Sequence, residues 1–335
     1  MRKETAIPPH ACIRSEGRGI LAGDLMSNES WAIVAEDLRK TYGQTKAVDG
    51  ISLKVAEGEI FGMLGPNGAG KSTTIEMIEG LRTADSGTIT VLGLRQPRDA
   101  RAIKMRIGIQ LQTTALYPRL TVTELLDLFH TFYPGRKTIP TDQLIEMVDL
   151  GEKRTTRSKN LSGGQRQRLS VALALVNNAD LVFLDEPTTG MDPQARRQLW
   201  DVIRDLQRRG KTILLTTHYL EEAEELCDRV AIIDHGRVIE MGSPEELVRR
   251  YFSDIAISFR DPAGGDAYRT LEGVTHVSTE DGRVTLYSND VPHTMAGLLS
   301  QQHGGGVGTA LRDLNVHNAT LEDVFLKLTG RALRD

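Results

Sequence analysis

Ile60-Phe61-Gly62-Met63-Leu64-Gly65-Pro66-Asn67-Gly68-Ala69-Gly70-Lys71-Ser72 decides the fold. The first five residues are an apolar run that reads as a buried strand. The last eight match the pattern GxxxxGK followed by Ser or Thr. Ser72 to Leu81 reads as helix, so the loop stands between a strand and a helix start, as the pattern requires. Glycines are needed because a chain that wraps a phosphate must reach φ > 0 and come close without a Cβ. The loop N–H groups and the helix N-terminus then face anionic oxygens. Lys71 is expected to neutralise the β- and γ-phosphates of a nucleotide, and the Ser72 hydroxyl to ligate Mg²⁺.

Leu181-Val182-Phe183-Leu184 and Thr212-Ile213-Leu214-Leu215 are short continuous apolar runs bounded by polar residues. Such runs suit strands buried on both faces of a parallel sheet, which makes the chain α/β. The first of them ends in Asp185-Glu186, where open parallel sheets bind ligands. Side chains alternate along a strand, so the two acids are expected to differ in role. Asp185 would orient Mg²⁺ through water, and Glu186 would polarise an attacking water as general base. Further along the chain from Lys71, Leu161-Ser162-Gly163-Gly164-Gln165 precedes a helix with Leu169, Ala172, Leu173 and Val176 on one face. A Ser-Gly-Gly helix start is a second anion site. Capping explains Ser162 but leaves the paired glycines and Gln165 to another cause.

The phosphate loop, Leu-Ser-Gly-Gly-Gln and Leu-Asp-Glu-Pro, in this order, resemble the nucleotide-binding subunit of ABC transporters. The resemblance implies a parallel-sheet core, an antiparallel β subdomain and a helical subdomain. It makes Gly65, Pro66, Asn67, Gly68, Ala69, Gly70, Lys71, Ser72 and Thr73 the ATP-binding loop. Tyr42 is similar to the adenine-stacking aromatic of the family. Gln112 resembles the Gln that senses Mg²⁺ and faces the membrane partner, with Gln110 the alternative. Gly190-Met191-Asp192 resembles the loop across which two such subunits touch, with Met191 where Leu is usual. His218 is similar to the histidine that holds the γ-phosphate and attacking water.

Two subunits are therefore expected to pack head to tail. ATP with Mg²⁺ would lie between Lys71 of one copy and the Leu161–Gln165 segment and Asp192 of the other. Glu186, His218 and Lys71 would be catalytic; Ser72, Asp185 and Gln112 would hold the metal. His218 to Glu224 and Arg168 to Leu175 resemble the branch that powers two-subunit drug, polysaccharide and lipid exporters. The tail Thr320 to Arg331 resembles daunorubicin/doxorubicin-type resistance ATPases. The expected partners are a second copy and a separate polytopic permease at the cytoplasmic side of the cell membrane.

Composition agrees with a folded, soluble chain. Of 335 residues 26% are charged and 39% hydrophobic, near the norm for globular domains once glycine is added. A formal charge of −4 and only 5% aromatic residues argue against a nucleic-acid surface. No apolar stretch approaches the ~20 residues of a membrane span. Two cysteines, Cys12 and Cys227, fit a reducing compartment. Residues 1–27 show no period and read as a disordered extension, or as sequence upstream of a start at Met26. Residues 28–248 read as the ATP-binding domain and 249–335 as a small α+β accessory domain. On the helix after His218, Leu220, Ala223, Leu226 and Cys227 are expected to face the core. Glu221, Glu222, Glu224 and Glu225 would form its solvated face. A soluble chromosome or repair ATPase would need a coiled coil between Lys71 and Leu161, and that segment carries no heptads. A regulatory nucleotide sensor without transport is the remaining alternative.

Overall fold

The structure is a computed structural model that describes residues 30–110, 116–252, 255–261, 264–280, 282–303 and 312–330. The segment 1–27, Cys12, Met26 and Gln112 lie outside the described residues. β1 (Trp31–Tyr42) and β2 (Thr45–Ala56) form a long antiparallel hairpin turning at Gly43, where φ is +58°. β3 (Ile60–Leu64) is buried along its whole length and runs through the glycine loop into α1 (Lys71–Glu79). β4 (Ser86–Val91) and β5 (Leu94–Gln96) return to the hairpin, giving the antiparallel order β2-β1-β4-β5.

α2 (Ala100–Lys104) and β6 (Ile107–Gln110) precede a helical segment of α3 (Val122–His130), α4 (Thr141–Met147) and α5 (Gly163–Leu175). The helical period from Thr121 to Asn177 therefore belongs to three α-helices, interrupted near Gly135 (φ +74°) and before Ser162, which caps α5. β7 (Leu181–Asp185), α6 (Pro193–Arg208), β8 (Thr212–Thr217), α7 (Leu220–Leu226), β9 (Arg229–Asp234), β10 (Arg237–Gly242) and α8 (Pro244–Tyr251) follow. The central sheet has the order β10-β9-β3-β8-β7-β6, parallel except for the β10 edge.

Alternation explains why these strands are apolar throughout. Ile60, Leu64, Val182, Leu184, Ile213 and Leu215 face the core shared with the helices. Phe61, Met63, Phe183 and Leu214 face the other way, into a core built with the β1–β2 hairpin and α1. Both faces are covered, and only the strand ends are left for polar chemistry.

The C-terminal part is β11 (Ile255–Arg260), β12 (Val274–Glu280), β13 (Arg283–Ser288), α9 (Val291–His303), β14 (Arg312–Asn318) and α10 (Leu321–Thr329). Its antiparallel sheet, in the order β12-β13-β11-β14, has its own small core around Phe259, Leu286 and Leu298. α10 does not belong to that core. Its Leu321, Val324 and Phe325 join the main core together with Phe252 and Tyr287. Its first backbone N–H, on Leu321, donates to Glu224 of α7. One expectation for α7 fails: Glu222 is fully buried, not solvated, because Trp200 of α6 donates to its carboxylate at 3.0 Å. The apolar face is as expected, with Ala223, Leu226 and Cys227 in the core.

Candidate active site

The site forms where β3, β7 and β8 end side by side. Leu64 pairs with Thr217, and Asp185 with Thr216. The three strand ends therefore bring the glycine loop, the two acids and His218 together. In the loop, Gly68 and Gly70 have φ of +81° and +105°. A Cβ on Gly65 would stand 2.2 Å from the Ile233 carbonyl oxygen, so no other residue fits there without moving the backbone. Lys71 is buried, and its Nζ donates to the carbonyls of Gly65 (2.6 Å) and Pro66 (3.2 Å). The ammonium is thereby held over the loop. Burial pushes its pKa down, opposed by the nearby charges of Glu186 and Asp185.

Glu186 stands just past the end of β7 with φ +47°, a left-handed conformation unusual for this residue type. Its N–H is held by Thr216, through the carbonyl oxygen at 3.2 Å and Oγ1 at 3.0 Å. Its Oε1 lies 3.9 Å from Lys71 Nζ and 3.4 Å from His218 Nδ1. Its Oε2 accepts from Thr189 Oγ1 at 3.2 Å. Asp185 has separate partners: Thr216 Oγ1 donates to its Oδ1 at 2.5 Å, and Ser72 Oγ at 3.4 Å. Burial raises the Asp185 pKa, and the Thr216 bond opposes that. The Asp185 carboxylate and Ser72 hydroxyl form a sparse set of hard oxygen donors. That suits Mg²⁺, which keeps several waters and binds substrate phosphates.

Tyr42 ends β1 and is 41% exposed, with Lys40 Nζ 5.7 Å and Arg82 Cζ 5.4 Å from its ring centre. An exposed ring can take a base on its free surface. At the other anion site, Ser162 and Gln165 form a reciprocal capping box: Gln165 N–H donates to Ser162 Oγ, and Ser162 N–H to Gln165 Oε1. Helix capping thus accounts for Gln165 after all. The glycines keep another reason. A Cβ on Gly164 would meet Ala195 Cβ at 2.8 Å, so α5 can start against α6 only without one. Gly163 has open space around it, and Leu161 is buried beneath. Asp192 caps α6, accepting from Ala195 N–H at 2.9 Å. Gln110, the alternative to Gln112, is buried in β6.

Sequence reasoning missed three residues around the acids. Thr216 holds both of them. Thr189 bonds Glu186. Glu79, at the end of α1, is a buried carboxyl whose pKa is pushed up to about 8 by burial and by the charges of Asp185 and Glu76. A Thr-Thr pair directly before His218 was the only signal for Thr216.

The family model "ABC transporter" matches residues 48–189, the span from the β2 strand through the two acids. The chain is 43% identical over 309 residues to the Nod factor export ATP-binding protein I of Ralstonia nicotianae, covering 90% of this chain and 94% of that protein. The chain belongs to the ABC transporter ATP-binding subunits. The protein of the same name from Rhizobium meliloti is 41% identical, over 91% of this chain and 90% of its own length. Among solved structures, the ADP conformation of the ABC-transporter cassette MJ1267 aligns with TM-score 0.59 and 27% identity, covering 65% of this chain and 92% of that one. The dimeric, ADP- and Pi-bound cassette MJ0796 aligns with TM-score 0.57 and 25% identity, covering 63% and 98%. This ABC subunit is accordingly an ATP hydrolase that uses ATP with Mg²⁺. Like its family, it works by dimerising and partnering a membrane permease. Among the described residues no helix is long and apolar enough to cross a membrane.

Proposed function

We propose that this chain powers an exporter as a homodimer at the cytoplasmic face of the cell membrane, with the membrane-spanning path in a separate polypeptide. The observation that carries the reading is the convergence of Lys71, Ser72, Asp185, Glu186 and His218 at three adjacent strand ends. Lys71 binds the β- and γ-phosphates, and the loop from Gly65 to Thr73 wraps them. Tyr42 stacks on the adenine. Ser72, Asp185 and Gln112 would hold Mg²⁺, which would supply charge to screen the phosphates. Glu186 takes a proton from the attacking water, and His218, whose Nδ1 lies 3.4 Å from Glu186 Oε1, orients water and γ-phosphate. The α5 N-terminus of the second copy, Leu161 to Gln165, closes over the same nucleotide, and Asp192 lies at the contact between copies. Hydrolysis removes the charge that bridges two helix ends, and the dimer opens.

A surface for the permease lies beside this machinery. A cleft of about 280 Å³ between β6, α3 and α5 is lined by Leu81, Ile109, Phe129, Tyr133 and Leu173. Leu81, and Phe132 just past α3, are 52% and 57% exposed. Large apolar side chains in the open beside a cleft favour a protein partner. Residues 249–335 act as an accessory unit on the same subunit. Two cargo readings stand. The relatives named for Nod factor export match over about nine-tenths of the chain and favour cargo of that kind. The resemblance of Thr320 to Arg331 favours a drug or antibiotic. Transport by the natural membrane partner of each cargo in turn separates them. The enzymatic reading is tested by Glu186→Gln, which should accumulate an ATP-bound dimer at undiminished nucleotide affinity. A monomer with normal ATP affinity would remove Glu186 as the base.

A further inference from the structure

We infer that Glu222 is a positioning residue for hydrolysis, a buried strut between α6, which follows the loop after Glu186, and the turn that carries His218. The inference rests on Glu186 and His218 being the hydrolytic pair. Glu222 is 0% exposed on α7, four residues past His218. Its Oε1 accepts from Trp200 Nε1 of α6 at 3.0 Å. Its Oε2 and Thr188 Oγ1 are both buried with no hydrogen-bond partner. Thr217, Trp200 and Thr188, with the charge of Arg196, oppose the upward push of burial on its carboxyl. Thr188 follows Glu186 by two residues, and Thr217 immediately precedes His218. One carboxylate therefore ties α7, which starts just past His218, to the helix that Asp192 caps, and Thr188 and Thr217 favour its charged form.

A second line of contacts runs parallel to the first. The Arg196 guanidinium of α6 stacks 4.3 Å from the Tyr219 ring centre, and the Tyr219 and His218 rings are 4.2 Å apart. The Thr217 hydroxyl accepts from Tyr219 N–H at 2.9 Å and fixes the turn between the two lines. A fully buried carboxylate is costly where leucine would pack, so plain core filling does not account for it. Its bond to Trp200 joins α6 to the helix that begins two residues past His218.

The test is steady-state hydrolysis by the full chain, with ATP affinity measured separately. Glu222→Leu should lower kcat on the order of 10–100-fold, the scale of an ångström-sized misplacement, with ATP Kd within about twofold. Glu222→Gln keeps the acceptor for Trp200 and can donate to Thr188, so kcat should stay within about threefold. Trp200→Phe removes the ring N–H donor together with part of the buried ring, and should lower kcat several-fold; it also decides the matter if Glu222→Leu does not fold. Unchanged kcat in Trp200→Phe and Glu222→Leu overturns the inference. So does a joint fall of kcat and ATP affinity, or equal losses in the Gln and Leu variants. Glu186→Gln in the same assay separates the two claims. Continued hydrolysis by that variant refutes the base, whereas normal turnover in Glu222→Leu beside an inactive Glu186→Gln refutes the strut alone.

Discussion

Thr216 offers the sharpest probe of the metal side of the site. It is fully buried at the end of β8, donates to Asp185 Oδ1 at 2.5 Å, and accepts from Glu186 N–H at 3.0 Å. Thr216→Val keeps the branched shape and removes both bonds. The Glu186 N–H is not orphaned, because the Thr216 carbonyl still accepts from it at 3.2 Å. The loss falls on the Asp185 carboxylate, which keeps only the longer Ser72 contact at 3.4 Å. A hydrogen bond to a charged group contributes about 1.5–3 kcal/mol, so stability should drop by about that much.

The functional effect should be specific to the metal. Removing a partner that orients a ligating carboxylate typically costs about 10–100-fold in metal affinity. The Mg²⁺ concentration for half-maximal ATPase activity should rise by about tenfold or more. Turnover should recover at saturating Mg²⁺, and nucleotide affinity measured without Mg²⁺ should be unchanged. Thr216→Ser, which retains the hydroxyl, should behave almost as the natural chain does. Identical Mg²⁺ dependence for Thr216→Val would mean that Asp185 is oriented by something else, or does not hold the ion.

Three other outcomes follow from particular residues. The Glu79 carboxyl has an ordinary value of 4.5 and is pushed up to about 8 by burial, so between those values the folded chain holds a proton that the unfolded chain has lost. Its favourable contribution is present below about 4.5 and disappears as pH rises through 8. Urea unfolding should therefore show Glu79→Gln gaining at least about 1 kcal/mol over the natural chain between pH 6 and pH 9, and parallel pH curves would refute this. Leu81→Glu places a charge on a residue 52% exposed at the cleft. It should abolish co-purification with the membrane subunit and leave the ATPase rate of the isolated chain within about twofold; retained co-purification would exclude that cleft as the docking surface. Truncation after Tyr251 removes Leu321, Val324 and Phe325 from the main core, each contributing about 1.5–3 kcal/mol by burial. The shortened chain should melt well below the full one, and equal melting temperatures would show that α10 is dispensable to the core.

Much of this architecture was legible because its signals are local. The loop from Gly65 to Ser72 carries its own conformational demands, and the apolar runs at Leu181 and Thr212 could be buried only as inner strands. Glu222 was misread for a physical reason. A run of four glutamates on one short helix looks solvated, and only the tertiary placement of Trp200 turns one of them inward. α10 was assigned by sequence to an accessory domain. Its apolar face, however, is satisfied equally by the C-terminal sheet or by α7 and α8, and periodicity cannot choose between two apolar neighbours.

The two acids show where pattern stops and geometry begins. Alternation along a strand would send neighbouring side chains to opposite faces. Asp185 obeys it as the last residue of β7, and Glu186 escapes it because its φ is +47°. A left-handed residue with a Cβ costs about 1–2 kcal/mol. Nothing in Leu-Asp-Glu-Pro announces that cost, and Thr189 alone adds local bonds, to the Glu186 carbonyl and carboxylate. The offset comes from β8, where Thr216 gives both its carbonyl and its hydroxyl to the Glu186 N–H. The consequence is that both carboxylates point into one site with different partners: Asp185 on Ser72, and Glu186 between Lys71 and His218. The division of labour between the acids is thus set by a single backbone dihedral, and a neighbouring strand holds that dihedral in place.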